Sequence, residues 1–165
     1  MTTYLRMTLS VTLLGLLLSG ATASAQLMDK KALSLEVAKK VAAAAEAEAI
    51  KNNWKVIIAI MDDGGHLVYL ERLDEAQLGS IDVAIQKAHT AVSFKRPTKA
   101  LEDAVITQGR TVVLSLPHAM PIEGGLPLMM DEKVIGAIGV SGVTAQQDGQ
   151  IAKAGADALP KILGR

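Results

Sequence analysis

The stretch Lys55-Val-Ile-Ile-Ala-Ile-Met-Asp-Asp-Gly-Gly-His-Leu-Val-Tyr-Leu-Glu-Arg72 decides the fold. Lys55 to Met61 is a nearly continuous, β-branched apolar run, the pattern of a strand covered on both faces. Asp62-Asp63-Gly64-Gly65 supplies hairpin turn chemistry, and His66 to Arg72 returns as a second strand. A local antiparallel pair of this kind favours an α+β arrangement over a doubly wound parallel sheet.

Upstream, Leu35, Ala38, Ala42, Ala45 and Ala49 recur in alternating steps of three and four, one face of a helix with Ser34 as its N-cap. Glu36 sits in the first turn and can pair with Lys40. The alanine stripe implies close packing on a sheet. Downstream, Ser80 caps a second helix whose Ile81, Ala84, Ile85, Ala88 and Val92 share a face, and Pro97 ends it. Thr98 opens a third helix, closed by Gly109. Thr111 to Leu116 reads as a strand. Leu126 to Met130 and Val134 to Ser141 read as a hairpin turning at Asp131-Glu132-Lys133, and a last helix runs from about Ala145 to Leu163. The expected fold is α+β: one antiparallel sheet of about five strands flanked by helices.

The N-terminus addresses the compartment. Arg6 is followed by an apolar stretch from Met7 to Leu18, short for a bilayer span, and then by Ala23-Ser24-Ala25. These predict a signal peptide over residues 1–25, cleaved after Ala25, and a single mature domain over 26–165 that is periplasmic or secreted and keeps no stable membrane anchor. The chain contains no cysteine, which excludes thiolate metal sites, iron–sulfur clusters and cysteine nucleophiles. Its 17 basic and 17 acidic side chains are dispersed, and Trp, Phe and Tyr are scarce, so neither phosphate capture nor base stacking is supported and no nucleic-acid partner is expected.

The chemistry-bearing candidates lie in loops and on the second helix. Pro121-Ile-Glu-Gly-Gly-Leu-Pro127 has a backbone path fixed by two prolines and two glycines; Glu123, Gly124 and Gly125 can line a ligand, or the segment can be a rigid connector. Gly136-Ala-Ile-Gly-Val-Ser-Gly142 is not a dinucleotide fingerprint; its glycines fit close backbone approach, with an anion at the start of the last helix as an alternative. Of three histidines, His66 opens a strand facing solvent, and His89 borders an apolar stripe as a packing residue or a ligand. His118, held between Pro117 and Pro121, suits an axial haem ligand, with Met120 as a second soft donor, and equally suits a solvated surface histidine. No His-x-His or His-x-x-x-His chelate and no Gly-x-Ser-x-Gly elbow occurs, which disfavours a zinc enzyme or a serine hydrolase.

Asp62-Asp-Gly-Gly65, Ser80-Ile-Asp-Val-Ala84, Lys87-Ala-His-Thr-Ala91, Phe94-Lys-Arg-Pro-Thr98, Pro121-Ile-Glu-Gly-Gly125 and Gly136-Ala-Ile-Gly-Val-Ser-Gly142, in this order, resemble the GlcG/HbpS-like family, also called the haem-degrading domain family. The resemblance spans essentially the whole mature chain and extends to the C-terminal domain of PduO-type corrinoid adenosyltransferases. It implies a profilin-like sandwich, homo-oligomers up to octamers and haem as cofactor. The functional expectation is an exported haem-binding protein that sequesters haem or senses redox state. The alternatives are an enzyme degrading haem or acting on a small hydroxy acid or aldehyde, and a structural homo-oligomer. Members usually carry glycine where this chain has His118, so no axial ligand transfers from the family. Lys95, Arg96 and Lys99 could meet haem propionates or form a solvated basic helix end. The alanine-rich helix and apolar strand pair offer surface for a symmetric oligomer.

Overall fold

The computed structural model describes residues 25–27 and 30–165. Apart from Ala25, the predicted leader therefore lies outside the described residues. The elements are α1 (Leu35–Lys51), β1 (Ile57–Asp62), β2 (Leu67–Arg72), α2 (Ser80–Phe94), α3 (Thr98–Ile106), a 3₁₀ segment (Thr111–Ser115), β3 (Gly125–Met130), β4 (Lys133–Ser141) and α4 (Ala145–Ile162). The strands form one antiparallel sheet in the order β2-β1-β4-β3. The α+β class is as expected from the sequence, and the sheet has four strands.

The missing fifth strand is Thr111–Leu116. Its β-branched run closes i→i+3 turns instead, Val113 N donating to Arg110 O at 3.1 Å and Leu116 N to Val113 O at 3.2 Å. Only Val113 is buried, in a satellite cluster with Leu101 and Ala104, while Val112, Leu114 and Leu116 face outward. An apolar run this short does not distinguish strand from helical turn by periodicity, and here the one buried contact is with α3 rather than with a strand.

Local signals account for the other elements. Ser34 caps α1, its hydroxyl accepting from Val37 N at 3.3 Å, and Glu36 pairs with Lys40 at 2.7 Å. In the β1–β2 turn Asp62 Oδ1 accepts from Gly64 N and His66 N, and Gly65 takes φ +81°. The residue before α2 is Gly79, so Ser80 is the first helical residue rather than the cap; its hydroxyl accepts from Gln77 Nε2.

Alternation along the central strands builds two cores. Ile58, Ile60, Ile138 and Val140 face α1 and α4, while Ile57, Ala59, Met61 and Ala137 face α2. The alanine stripe of α1 and both faces of β1 are thus consumed inside the domain. Helix α2 lies directly on β4: a Cβ on Gly139 would overlap Ala84 O and the Ala88 backbone.

A buried ion pair links the two layers. Lys87 of α2, 1% exposed, donates to Asp148 Oδ2 of α4 at 2.8 Å and to Val140 O of β4 at 3.0 Å. Asp148 Oδ1 accepts from Val143 N at 3.2 Å. Burial raises the Asp148 carboxyl above its ordinary value, opposed by the Lys87 charge and the Val143 amide. Removing one partner strands a charge with no solvent. Asp148→Ala is therefore expected to cost about 3–5 kcal/mol in urea unfolding, whereas the double variant Lys87→Met/Asp148→Leu should regain most of that loss.

Candidate functional site: a two-histidine cleft

Helix α2 carries inward and outward chemistry one residue apart. Lys87, Thr90 and Ala91 are buried, whereas Gln86 is exposed and His89 is half-buried on the rim. Gln86, Ile85 and His89 form one wall of a cleft of about 440 Å³, and His118 and Ala119 form the other. The His89 and His118 rings meet with centroids 5.5 Å apart and planes at 61°.

His89 has neighbours on both sides: its Nδ1 lies 3.4 Å from Ser93 Oγ, and a Cβ added at Gly65 of the hairpin turn would sit 3.4 Å from its Cδ2 and Nε2. His118 is exposed, and its ring makes no hydrogen bond to the described residues. Its backbone has φ +61°, a left-handed conformation that ordinarily selects glycine.

The other candidates fall elsewhere. Met120 does not line the cleft, although its amide binds the side chain of Thr90. Gly124 and Gly125 are buried, and their polar groups are engaged: Gly124 O accepts from Val140 N, and Gly125 N donates to Thr98 Oγ1 at 2.9 Å. Gly124, at φ +127°, also leaves room for the ion pair, since a Cβ there would sit 2.8 Å from Lys87 Nζ. Glu123 N donates to Glu102 Oε2 at 2.6 Å, and burial together with Glu102 raises the Glu123 carboxyl. The Pro121–Pro127 segment is thus built into the frame, separate from the cleft lining.

His66 is solvent-facing with a side chain 82% exposed, and its Nδ1 lies 3.3 Å from Asp62 Oδ1. Lys99 pairs with Asp103, and Lys95 and Arg96 are exposed at the end of α2. The start of α4 is capped by its own side chains, with a Thr144–Gln147 capping box and Asp148 on Val143 N, so the amides of Val143, Thr144 and Gln147 are already engaged where the anion alternative was placed. Among the described residues no three His, Asp or Glu side chains gather around a common point, and no helix is long and apolar enough to cross a membrane.

A single antiparallel sheet between α1/α4 and α2, with a cleft between α2 and the 117–121 loop, defines a small α+β sandwich. The family model described as "Haem degrading protein HbpS-like" matches residues 33–157, and the chain belongs to this HbpS-like family. It is 44% identical over 112 residues to protein GlcG of Escherichia coli K12, covering 68% of this chain and 83% of GlcG. The fold is similar to a double mutant of Streptomyces reticuli HbpS (TM-score 0.74, 34% identity, 86% of this chain and 98% of that one). It is also similar to a PduOC:heme complex (TM-score 0.70, 31% identity, 78% and 95%).

The backbone at His118 yields a test independent of any ligand. His118→Gly removes the left-handed penalty, worth about 1–2 kcal/mol, against an entropic cost of roughly 0.5–1 kcal/mol, so its thermal midpoint should equal or exceed that of the unmodified protein. His118→Val, β-branched at the same φ, should melt lower by about 1 kcal/mol or more. A Val variant as stable as the Gly variant would contradict the left-handed conformation.

Proposed function

We propose that this protein is an exported haem-binding protein that sequesters haem or senses redox state, with His118 as axial ligand and His89 beside it in the same cleft. The observation that carries this reading is the convergence of two imidazoles over an open cleft, one of them without a hydrogen-bond partner among the described residues. The donor set fits the group. Imidazole is a common axial ligand, Ile85 and Ala119 supply apolar wall, and the cleft volume falls within the usual range for small-molecule sites, about 300–1,000 Å³. Bound haem would supply a redox-active iron. His118 would hold the iron, and Ile85, Gln86, His89 and Ala119 would line the cleft around the group. The haem complex formed by the similar PduOC domain and the family's description support the same reading. Export rests on the leader, and redox sensing on the family resemblance.

Hemin titration is expected to give a saturable Soret shift near one haem per subunit or per subunit pair. His118→Ala should weaken binding more than His89→Ala or His66→Ala, with unchanged circular dichroism. A linear, unsaturable rise would refute haem binding, and unaltered affinity in His118→Ala would place the ligand elsewhere. The family's description also supports an enzymatic reading, which predicts loss of the Soret band and release of iron with peroxide or reductant. Haem that survives both treatments marks a carrier.

The proposed homo-oligomer rests on a different surface from the one the sequence indicated. The alanine stripe and β1 are internal and β2 is a half-exposed edge strand, whereas Ile106, Val112 and Leu114 are 76%, 64% and 61% exposed where α3 meets the 3₁₀ segment. Sedimentation at micromolar concentration should show a symmetric assembly up to an octamer, dissociated by Val112→Glu/Leu114→Glu; a monomer throughout would exclude it.

A further inference from the structure

Thr90 is fully buried on α2, immediately after His89, and its hydroxyl has three polar neighbours. It donates to Gln86 O at 2.7 Å, the ordinary back-bond of a helical threonine, with His118 O 3.0 Å away as a second acceptor. It also accepts from Met120 N at 2.9 Å, the only hydrogen bond of that amide among the described residues. One hydroxyl thus grips the loop on both sides of Ala119, from the helix that carries the other histidine.

We infer that Thr90 is the positioning residue of the cleft: its hydroxyl holds the 118–120 loop so that the His118 ring stands against His89. The inference rests on the haem-site reading above but concerns the apo protein as well. The prolines at 117 and 121 fix their own φ and restrict Leu116 and Met120 before them, which leaves His118, at φ +61°, without that restraint. Without the hydroxyl, the His118 carbonyl and Met120 amide lose their buried partner and the loop can turn to satisfy them with water. The imidazole then leaves its place although no ligand atom has been removed. Groups that orient a ligand typically change metal affinity by about 10- to 100-fold when lost.

The test compares Thr90→Val, which keeps the shape and deletes the hydroxyl, with Thr90→Ser, which keeps the hydroxyl. In the apo protein, the His89 and His118 ring resonances should move in Thr90→Val and stay near their original positions in Thr90→Ser. With hemin, Thr90→Val should lose about 10- to 100-fold in affinity and take on the ferric spectrum of His118→Ala, and Thr90→Ser should restore both. If no variant binds hemin, the haem reading fails while the ring resonances still decide the positioning role. Should Thr90→Val not fold, amide exchange in the unmodified protein decides: a Met120 amide protected like those of α2 supports the clamp. An unprotected Met120 amide, or a folded Thr90→Val with unmoved ring resonances, overturns it.

Discussion

The pairing of Lys87 with Asp148 is the constraint from which much of this molecule follows. A lysine pointing inward from α2 reaches past the end of the sheet to a carboxylate of the helix on the opposite face, and a β4 carbonyl takes a second of its protons. Such a pair is tolerable only where its remaining hydrogen-bonding capacity is met and nothing intrudes on its path. Val143 N meets one carboxylate oxygen, and the absence of a side chain at Gly124 keeps the path clear. The same close approach presses α2 onto β4 and β3, which is why Gly139 and Gly125 have no room for a Cβ against the helix backbone.

The cleft is a consequence of that anchoring. With Lys87 pinned inside, the helical repeat sets Thr90 and Ala91 against the domain and turns Gln86 and His89 to the rim. One wall of the cleft is therefore as rigid as the core. The other wall, the loop from Pro117 to Pro121, belongs to no element and makes few backbone bonds of its own. It takes its position from the helix, through a threonine adjacent to the histidine it serves.

Where one buried face or one turn motif governs an element, the sequence is readable: the β1–β2 hairpin and the Ser34-capped alanine face of α1 follow from local pattern. Thr111–Leu116 is not, because its composition suits a strand and only the absence of a neighbouring edge decides otherwise. The glycines around 124 and 139 carry a signal with two meanings, ligand contact or close approach, and the partner that separates them lies far along the chain. Lys87 and Asp148 are 61 residues apart, so no local pattern reveals them as a pair. Still, Lys87 falls three residues after Ala84 and four before Ala91, on the buried stripe, and a charge there announces a buried partner. Thr90 offers no such signal, since a buried threonine on a helix ordinarily satisfies itself on the carbonyl four residues back.

His118 is the point where local preference and observed residue disagree. Its backbone is in a region that favours glycine, and the side chain is exposed and adds nothing to either main core. A glycine would meet the backbone requirement at lower conformational cost, so packing and turn geometry do not explain an imidazole here. What the imidazole does have is a fixed neighbour, His89, and a loop tied at two atoms to a buried hydroxyl. Strain accepted at one residue and rigidity supplied by two others is the arrangement expected where a side chain must be presented rather than buried. The reason for a histidine at 118 is therefore sought in what enters the cleft.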